Sequence, residues 1–236
     1  MKERVLGVIP ARGGSKTIPR KNIRDLLGIP LIAYTIREAL KAKTLTRLIV
    51  SSEDSEILAV ARKYGAETPF VRPRELATDD SLTIDVVIHA ITTVEEQEGT
   101  KYNYVVVLQP TTPLRTAEDI DTAVMKLIES GADSVISIVN VGAIHPYRMK
   151  TIVNGLLVDY ADEEIENMPR QKLPPVYIRN GSIYATKRDV LVEERTFKGK
   201  TCIPYEMPEE RSVNIDNKFD LMLAESLLRA KYVAGQ

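Results

Sequence analysis

A glycine-containing loop rich in cations follows the first apolar segment of the chain. Residues 9–22 read IPARGGSKTIPRKN, with two adjacent glycines and no acidic residue. The basic residues of this loop and of the positions just beyond it are Arg12, Lys16, Arg20, Lys21 and Arg24. Adjacent glycines let a backbone approach an anion closely, and cationic side chains neutralise its charge. The pattern favours phosphate binding; the alternative interpretation is a solvated basic loop that binds nothing.

The loop differs from the common phosphate-binding motifs. The order Gly13-Gly14-Ser15-Lys16 does not match G-x-x-x-x-G-K-[ST], and G-x-G-x-x-G does not occur here. Nucleic acid is disfavoured as the ligand, because residues 1–31 contain no aromatic side chain on which a base could stack. The formal net charge of the whole chain is −1, so any recognition of an anion has to be local.

The segments that must position this loop alternate between strand and helix patterns in the first half of the chain. Predicted strands cover residues 4–9, 47–51, 68–71, 104–108 and 134–139, and predicted helices cover residues 31–42, 56–64, 82–96 and 117–129. The predicted helix caps are Asp54 with Ser55, then Asp80 or Ser81, then Thr116 in a capping box with Asp119. This alternation predicts a mostly parallel sheet with helices on both faces.

The alternation stops near residue 140. Asn154-Gly155 between two apolar runs predicts a hairpin, and a polar, proline-bearing stretch follows at residues 161–175. Residues 176–187 return to a strand pattern, and residues 219–233 are a predicted helix. We therefore predict one α/β domain over residues 1–236, with an inserted lobe at approximately 141–175.

Composition narrows the class of protein. The chain of 236 residues is 44% hydrophobic and 28% charged, which is ordinary globular composition. The single cysteine, Cys202, excludes an intrachain disulfide and fits a reducing compartment. The apolar run before Pro10 is too short for a signal peptide or a membrane span. We expect a cytoplasmic protein that binds neither membrane nor nucleic acid.

Six ordered segments resemble motifs of the acylneuraminate cytidylyltransferases, which activate sialic acids and related nonulosonic acids. The segments are residues 9–22, 72–81 (RPRELATDDS), 108–115 (LQPTTPLR), 169–174 (PRQKLP), 180–184 (NGSIY) and 214–225 (NIDNKFDLMLAE). The resemblance runs nearly end to end, and the set is specific although any one segment alone would be weak. It implies a Rossmann-like nucleotidyltransferase fold with a small inserted dimerisation lobe, and therefore a homodimer.

The resemblance also implies a reaction, the transfer of CMP from CTP to the anomeric hydroxyl of a nonulosonic acid with release of pyrophosphate. Positioning and charge neutralisation would supply most of the catalysis. The residues that match nucleotide-binding positions of the family are Ala11, Arg12, Gly13, Gly14, Ser15, Lys16, Lys21, Asn22, Arg72, Ser81 and Thr83. The catalytic candidates that the resemblance implies are Arg12, Lys21, Gln109 and Asp216.

Within this set, the resemblance assigns separate parts of the nucleotide to separate residues. Arg12 is expected near the reacting phosphate, and Lys16 and Lys21 are expected near the departing pyrophosphate. Asn22 matches a position near the ribose. The positions that line the base pocket in the family are matched by Arg72, Ser81 and Thr83.

The resemblance further implies an acceptor site and a metal site. The residues that match the sugar site are Gln109, Arg148, Arg170, Asn180 and Tyr184, and Arg148 stands where relatives often have lysine. Related enzymes for the octulosonic acid of lipopolysaccharide tend to have a carboxylate at the position of Gln109, so the glutamine favours nine-carbon acids. The candidate ligands for Mg²⁺ are Asp216 and Asn214, and Asn214 stands where many relatives have a second aspartate.

Two alternatives to this reaction stay open. The first is a cytidylyltransferase that uses the octulosonic acid of lipopolysaccharide, or another sugar nucleotidyltransferase. The second belongs to a different class and is suggested by Asn214 in place of an aspartate. It is a regulatory protein that binds CTP without turnover.

Overall fold

The computed structural model describes residues 3–162 and 165–234. Its strands are β1 (Val5–Pro10), β2 (Asp25–Leu26), β3 (Ile29–Pro30), β4 (Arg47–Ser51), β5 (Tyr104–Val107), β6 (Ser134–Asn140), β7 (Lys150–Val153), β8 (Leu156–Asp159), β9 (Tyr177–Lys187) and β10 (Cys202–Glu206). Its α-helices are α1 (Leu31–Lys41), α2 (Ser55–Lys63), α3 (Thr83–Glu98), α4 (Ala117–Ser130), α5 (Arg188–Val192) and α6 (Lys218–Ala234).

The central sheet is mostly parallel, as the alternation of the sequence predicts. Its six strands lie in the order β10-β6-β9-β5-β1-β4. β1 pairs in parallel with β4 and β5, and β10 pairs in parallel with β6. β9 lies between β5 and β6 and is antiparallel to both. The carboxyl ends of β1, β4 and β5 therefore share one edge, which is where ligands bind in open α/β sheets.

Helices cover both faces of the sheet. On one face, Ile36 of α1, Ile57 of α2 and Val124 of α4 belong to a single buried apolar cluster. On the other face, Ile91 of α3 packs in a second cluster. A third cluster joins α6 to the start of α1 and so brings the C-terminal segment back to the basic loop. Within the described ranges, no helix has both the length and the apolarity needed to cross a membrane.

Two of the predicted helix caps are confirmed. The Asp54 carboxylate accepts hydrogen bonds from the backbone N–H groups of Glu56 and Ile57, and so caps α2. Thr116 and Asp119 form the reciprocal bonds of a capping box at the start of α4.

The predicted cap of α3 is wrong. The residue before this helix is Leu82, whose side chain cannot cap it, and neither Asp80 nor Ser81 takes that position. The Ser81 hydroxyl instead donates to the Glu75 carbonyl in the preceding turn. The hydroxyl is therefore committed to the segment that leads into the helix.

The strand predicted at residues 68–71 is also wrong. Only a single bridge forms in this part of the described chain, between Ile49 and Glu67. Pro69 lies inside the predicted segment and Pro73 follows it, and proline has no N–H to donate to a ladder. Phe70 of this loop packs against the apolar cluster that includes Ile49 of β4, whereas Val71 is exposed.

The hairpin predicted at Asn154-Gly155 is confirmed. β7 and β8 pair with each other in a separate two-stranded sheet, and all of their residues are exposed. Asn154 and Gly155 have φ values of 53° and 78°, the left-handed geometry that two-residue hairpin turns require. The hairpin lies within the predicted lobe, of which residues 163 and 164 fall outside the described residues. The dimerisation role of the lobe stays a prediction.

Candidate active site

A cavity of about 520 Å³ lies at the carboxyl edge of the sheet. Its lining combines the basic loop, the segment that leads into α3, the segment after β5 and the segment before α6. The site residues predicted from the sequence that line it are Arg12, Gly14, Ser15, Lys16, Lys21, Asn22, Arg72, Ser81, Thr83, Gln109, Asn214 and Asp216. The structure thus brings together residues from both ends of the chain.

The end of β4 anchors the first part of the basic loop. The backbone N–H of Ala11 donates to the Ser51 carbonyl at 3.0 Å. The backbone N–H of Gly13 donates to Oε1 of Glu53 at 2.7 Å. A Cβ atom on Gly13 would lie 2.5 Å from Oδ2 of Asp54, so this close approach requires glycine. The Gly13 N–H is therefore occupied by a carboxylate in this structure, although the sequence suggested it as a phosphate donor.

A carboxylate that the sequence analysis missed holds two cations of the loop. Asp79 lies 2.9 Å from Nη1 of Arg12 and 2.6 Å from Nζ of Lys16. Arg12 also donates to the Thr78 carbonyl at 2.8 Å. The hydrogen bond from Lys16, together with the charges of both cations, lowers the pKa of Asp79. Asp79 lies within the segment 72–81, so its place in a motif was the available signal.

Lys21 joins the loop to the C-terminal part of the site. Its Nζ donates to the Ile215 carbonyl at 2.9 Å and lies 3.3 Å from Oδ1 of Asp216. Asn22 is buried, and its side-chain amide donates to the Arg12 carbonyl at 2.9 Å. These contacts fix the curvature of the loop and hold the Lys21 ammonium at the wall of the cavity.

The two remaining cations of the loop region lie outside the cavity lining. Arg20 pairs with Asp54 at 2.7 Å and with Glu56, at the start of α2. Arg24 is exposed to solvent. Only some of the positive charge in the sequence pattern is therefore directed at the cavity.

Arg72 forms a buried wall of the cavity. Its Nε donates to the Ser51 hydroxyl at 3.1 Å, and its Nη2 donates to the Ser51 carbonyl. Burial lowers the pKa of Arg72 to about 10, which still leaves the guanidinium charged near neutral pH. Ser81 and Thr83 line the same cavity at the entrance to α3.

Gln109 and Asn180 occupy different environments although both were predicted to bind the sugar. The Gln109 side chain lines the cavity and lies so close to β9 that a Cβ atom on Gly181 would be 2.5 Å from its Oε1. Asn180 is buried. Its Oδ1 accepts from the Ser137 hydroxyl at 2.6 Å, and its Nδ2 donates to the Ser212 hydroxyl at 2.9 Å. The amide of Asn180 is thus engaged within the protein.

The other three predicted sugar-binding residues lie away from this cavity. Tyr184 is half-buried and packs on Phe197, with ring centroids 5.7 Å apart, and burial raises the pKa of Tyr184. Arg148 is exposed and donates to a main-chain carbonyl of the lobe at 2.8 Å. Arg170 is also exposed, and its guanidinium rests on Gly142. The sugar-binding roles of all five residues stay predictions.

Asn214 and Asp216 lie side by side at the wall of the cavity, and each carries a side-chain oxygen that can ligate a metal. Nδ2 of Asn214 donates to Oδ2 of Asp216 at 2.8 Å. Oδ1 of Asn214 is buried and has no hydrogen-bond partner among the described residues. Asp216 does not cap α6, because Asn217 accepts the backbone N–H bonds there and Asp220 completes the turn.

This pair fits Mg²⁺ better than a metal that needs a cage of protein ligands. In the described parts of the chain, no group of three or more His, Cys, Asp and Glu side chains is placed to hold a metal ion. Mg²⁺ commonly takes one or two protein carboxylates and completes its shell with water and substrate phosphates. The carboxylate of Asp216 and the orphaned amide oxygen of Asn214 suit that coordination.

A second cavity, of about 730 Å³, adjoins the first and shares Thr83 with it. Apolar side chains of β6 and β10 and the ring of Phe197 line it, together with the cations Arg179, Arg195 and Lys198. Arg195 pairs with a carboxylate of α3. Most of the residues that line this cavity fall between the motifs recognised in the sequence, so the sequence did not predict it.

The fold and the first cavity together define a class of protein. A mostly parallel α/β sheet is typical of a nucleotide-binding enzyme when its carboxyl edge carries a cation-rich loop and oxygen ligands such as those of Asn214 and Asp216. A family model described as cytidylyltransferase matches residues 6–227 of the chain. The chain belongs to the cytidylyltransferase family and is a nucleotidyltransferase.

Curated relatives and solved structures agree with this assignment. The chain is 35% identical over 232 residues to CMP-N,N'-diacetyllegionaminic acid synthase of Legionella pneumophila, covering 95% of this chain and 96% of that one. It is 34% identical over 229 residues to pseudaminic acid cytidylyltransferase of Campylobacter jejuni, covering 96% and 97% of the two chains. The structure of CMP:2-keto-3-deoxy-manno-octonic acid synthetase complexed with CTP matches with a TM-score of 0.73 at 18% identity, covering 97% of this chain and 100% of that one. The last likeness bears on the fold alone, and it confirms the predicted fold class.

Proposed function

We propose that this protein transfers CMP from CTP to the anomeric hydroxyl of a nonulosonic acid. The observation that carries the proposal is the single cavity in which Arg12, Lys21 and Asp216 meet Gln109. The relatives named for legionaminic and pseudaminic acids support the acceptor class, because both acids are nonulosonic acids. The neutral amide of Gln109 supports nine-carbon acids over the octulosonic acid.

In the proposed reaction, the anomeric oxygen of the acceptor attacks the α-phosphorus of CTP in line. A bond forms between that oxygen and phosphorus, and the bond from the α-phosphorus to the bridging oxygen breaks. The bridging oxygen leaves with the electron pair as part of pyrophosphate, and the proton of the hydroxyl passes to solvent. Negative charge shifts towards the leaving group, so cations fixed beside it lower the barrier.

The cations of the cavity divide this work. Arg12 faces the phosphate nearest the reacting centre, while Lys16 and Lys21 neutralise the departing pyrophosphate. Asn22 holds the loop through the Arg12 carbonyl, and we assign it to the ribose. Arg72 and the entrance to α3 line the place proposed for the cytosine ring.

We also propose that Asp216 and Asn214 hold a magnesium ion together with the CTP phosphates. Bound there, Mg²⁺ would withdraw charge from the phosphate oxygens that the cations of the loop do not reach. The Lys21 ammonium lies 3.3 Å from Oδ1 of Asp216 and holds that carboxylate at the wall of the cavity.

For the acceptor, we propose a place between Gln109 and the second cavity. Arg179 and Lys198 suit the carboxylate of the sugar, and the apolar lining around Phe197 suits its acyl groups. Arg148 and Arg170 lie on the lobe and line neither of the two cavities described above.

We propose a homodimer, formed in the cytoplasm, in which two lobes cover each other. The support is the exposed apolar surface of the hairpin, where the side chains of Ile152 and Leu157 are 75% and 72% exposed. A single protein chain in water rarely leaves such a patch uncovered. The single Cys202 agrees with a reducing compartment.

The test is an assay of pyrophosphate release by the purified protein with Mg²⁺. Each of CTP, UTP, ATP and GTP is combined with N-acetylneuraminate, legionaminate, pseudaminate and the octulosonic acid. We expect release only with CTP and a nine-carbon acid. Release confined to the octulosonic acid would replace the acceptor that we propose. CTP binding without release for any acceptor would instead favour a regulatory protein.

A further inference from the structure

The backbone carbonyl of Gln109 is held by two threonine hydroxyls from different parts of the chain. The Thr112 hydroxyl donates to it at 3.0 Å, from the loop that follows β5. The Thr35 hydroxyl donates to it at 3.4 Å, from α1. The position of Gln109 therefore depends on where these two hydroxyl protons point.

Arg115 determines the direction of both hydroxyls. Its Nη1 donates to the Thr112 hydroxyl at 2.9 Å, and its Nη2 donates to the Thr35 hydroxyl at 2.8 Å. A hydroxyl has one proton, so an oxygen that accepts from a guanidinium keeps its own proton for another acceptor. Here that acceptor is the Gln109 carbonyl, which also lies 3.5 Å from each of the two guanidinium nitrogens.

Arg115 also holds the strand on which the Gln109 side chain rests. Its Nη1 donates to the Ser182 carbonyl at 2.6 Å. Ser182 lies in an irregular part of β9, outside the registered pairs with both neighbouring strands. The preceding residue, Gly181, has φ of 78° and contacts the Gln109 amide. One guanidinium thus contacts the Gln109 carbonyl and the residue next to Gly181.

The burial of Arg115 is costly for a merely structural role. Its residue exposure is 1%, and its Nε has no hydrogen-bond partner among the described residues. No carboxylate of those residues forms a direct ion pair with Arg115, although the charges of Asp119 and Glu38 act on it, and burial lowers its pKa to about 9. A buried cation without a paired carboxylate destabilises a fold relative to an apolar side chain of similar size.

We infer that Arg115 is a positioning residue, which sets the Gln109 amide against β9 and thereby orients the acceptor. The effect on the acceptor rests on the proposed function, whereas the placement of Gln109 does not. Arg115 touches neither substrate, so its substitution changes the acceptor step and leaves the CTP contacts in place.

The test compares Arg115→Lys with Arg188→Lys. Arg188 is another buried arginine, but it pairs with Glu95 at 2.9 Å and lines neither cavity in the described structure. Lysine at position 115 keeps the charge but cannot bridge three acceptors in one plane. We expect Arg115→Lys to raise the KM for the acceptor at least about tenfold while the Kd for CTP stays within about twofold. Arg188→Lys should lower thermal stability without changing the acceptor KM.

A double-mutant cycle with Gln109→Ala separates positioning from general damage. If Arg115 acts through Gln109, Arg115→Lys adds less than about a twofold effect in the Gln109→Ala background. Effects that multiply in full, or a loss of CTP affinity equal to the rise in acceptor KM, would overturn the inference. Gly181→Ala supplies a second route, because it displaces the amide of Gln109 without altering Arg115.

A crystal structure of Arg115→Lys tests the inference independently of the proposed function, because it shows the position of Gln109 without any measurement of activity. We expect the Gln109 carbonyl to lose its hydroxyl partners and the amide to leave Gly181. An unchanged Gln109 would overturn the inference even if the acceptor proves to be a different acid. If wild-type protein releases no pyrophosphate with any acid, the proposed function fails while this structural readout still decides the role of Arg115. If Arg115→Lys does not fold, the same readouts on Thr112→Val decide it, because that change removes a hydroxyl through which Arg115 reaches the Gln109 carbonyl.

Discussion

The first cavity and the hairpin formed by β7 and β8 differ in the surroundings of their side chains. In the cavity, charged side chains pair with each other within one chain, whereas on the hairpin apolar side chains are exposed. In the cavity, Arg12 and Lys16 find Asp79, and Lys21 finds Asp216. On the hairpin, Ile152 and Leu157 face solvent although they sit opposite each other on neighbouring strands. The comparison teaches that a single chain can assemble the cavity that we propose for CTP, whereas the apolar surface of the lobe stays uncovered within one chain.

The predicted acceptor residues fall on both sides of this division. Gln109 belongs to the cavity, but Arg148 and Arg170 belong to the exposed lobe. If the lobe of a second copy covers the first, the two regions would contribute to one site. Substitutions on the two sides should then have separable effects on chemistry and on assembly.

The largest effect is expected from the cavity side, for Lys21→Ala. This change removes the ammonium next to Asp216 that would neutralise the leaving pyrophosphate, and turnover should fall about 10³-fold. Steady-state pyrophosphate release measures it, with circular dichroism as the check of folding. Arg24→Ala is the matched control, because Arg24 is an exposed cation of the same region outside the cavity lining. Rates near wild type for Lys21→Ala would remove the loop from the mechanism.

For substitutions on the lobe, we expect a change in the oligomeric state of the protein. The double variant Ile152→Ser and Leu157→Ser removes two exposed apolar side chains that face each other across β7 and β8. Light scattering after gel filtration should show the mass of a dimer for wild type and of a monomer for the variant, with a dissociation constant raised at least about a hundredfold. Val71→Ser, a change at an exposed apolar residue elsewhere, should leave the dimer intact. A monomeric wild type would contradict the lobe assignment.

The sequence predicted the elements of the cavity side well, because their signals are local. Asp54 and Thr116 cap α2 and α4 as their side-chain chemistry predicts. Continuous apolar runs also predicted the parallel strands, since a strand that is buried on both faces needs apolar side chains on each of them. The cap of α3 was missed because a hydroxyl was used in the preceding turn, which depends on tertiary geometry.

The sequence did not predict which distant segments of the chain contact each other. The pattern of residues 176–187 predicts a strand but does not say that it inserts antiparallel between β5 and β6. The strand β10 and the short helix α5 carry too little periodicity to be recognised. The cluster around Arg115 was also unpredictable, because its partners Thr35 and Ser182 come from distant segments that only the fold brings together.

The smallest expected effect is a change in the Kd for CTP, and it concerns Asp79 in the first cavity. Its carboxylate bridges two cations that we assign to the CTP phosphates. CTP must therefore displace Asp79 from Arg12 and Lys16. Exposed ion pairs are weak, so Asp79→Asn should tighten CTP binding by only about threefold. Isothermal titration calorimetry at low ionic strength measures the Kd.

Asp80→Asn is the matched control, because it removes the same charge at the next position, and Asp80 lies outside the cavity lining. Both variants change the net charge equally, so a difference between them isolates the contact from the general field. The gain for Asp79→Asn should shrink as salt rises, since added ions screen the competing pair. Weaker CTP binding by Asp79→Asn alone would reverse the interpretation, because it would show that Asp79 holds the loop in the shape that CTP requires.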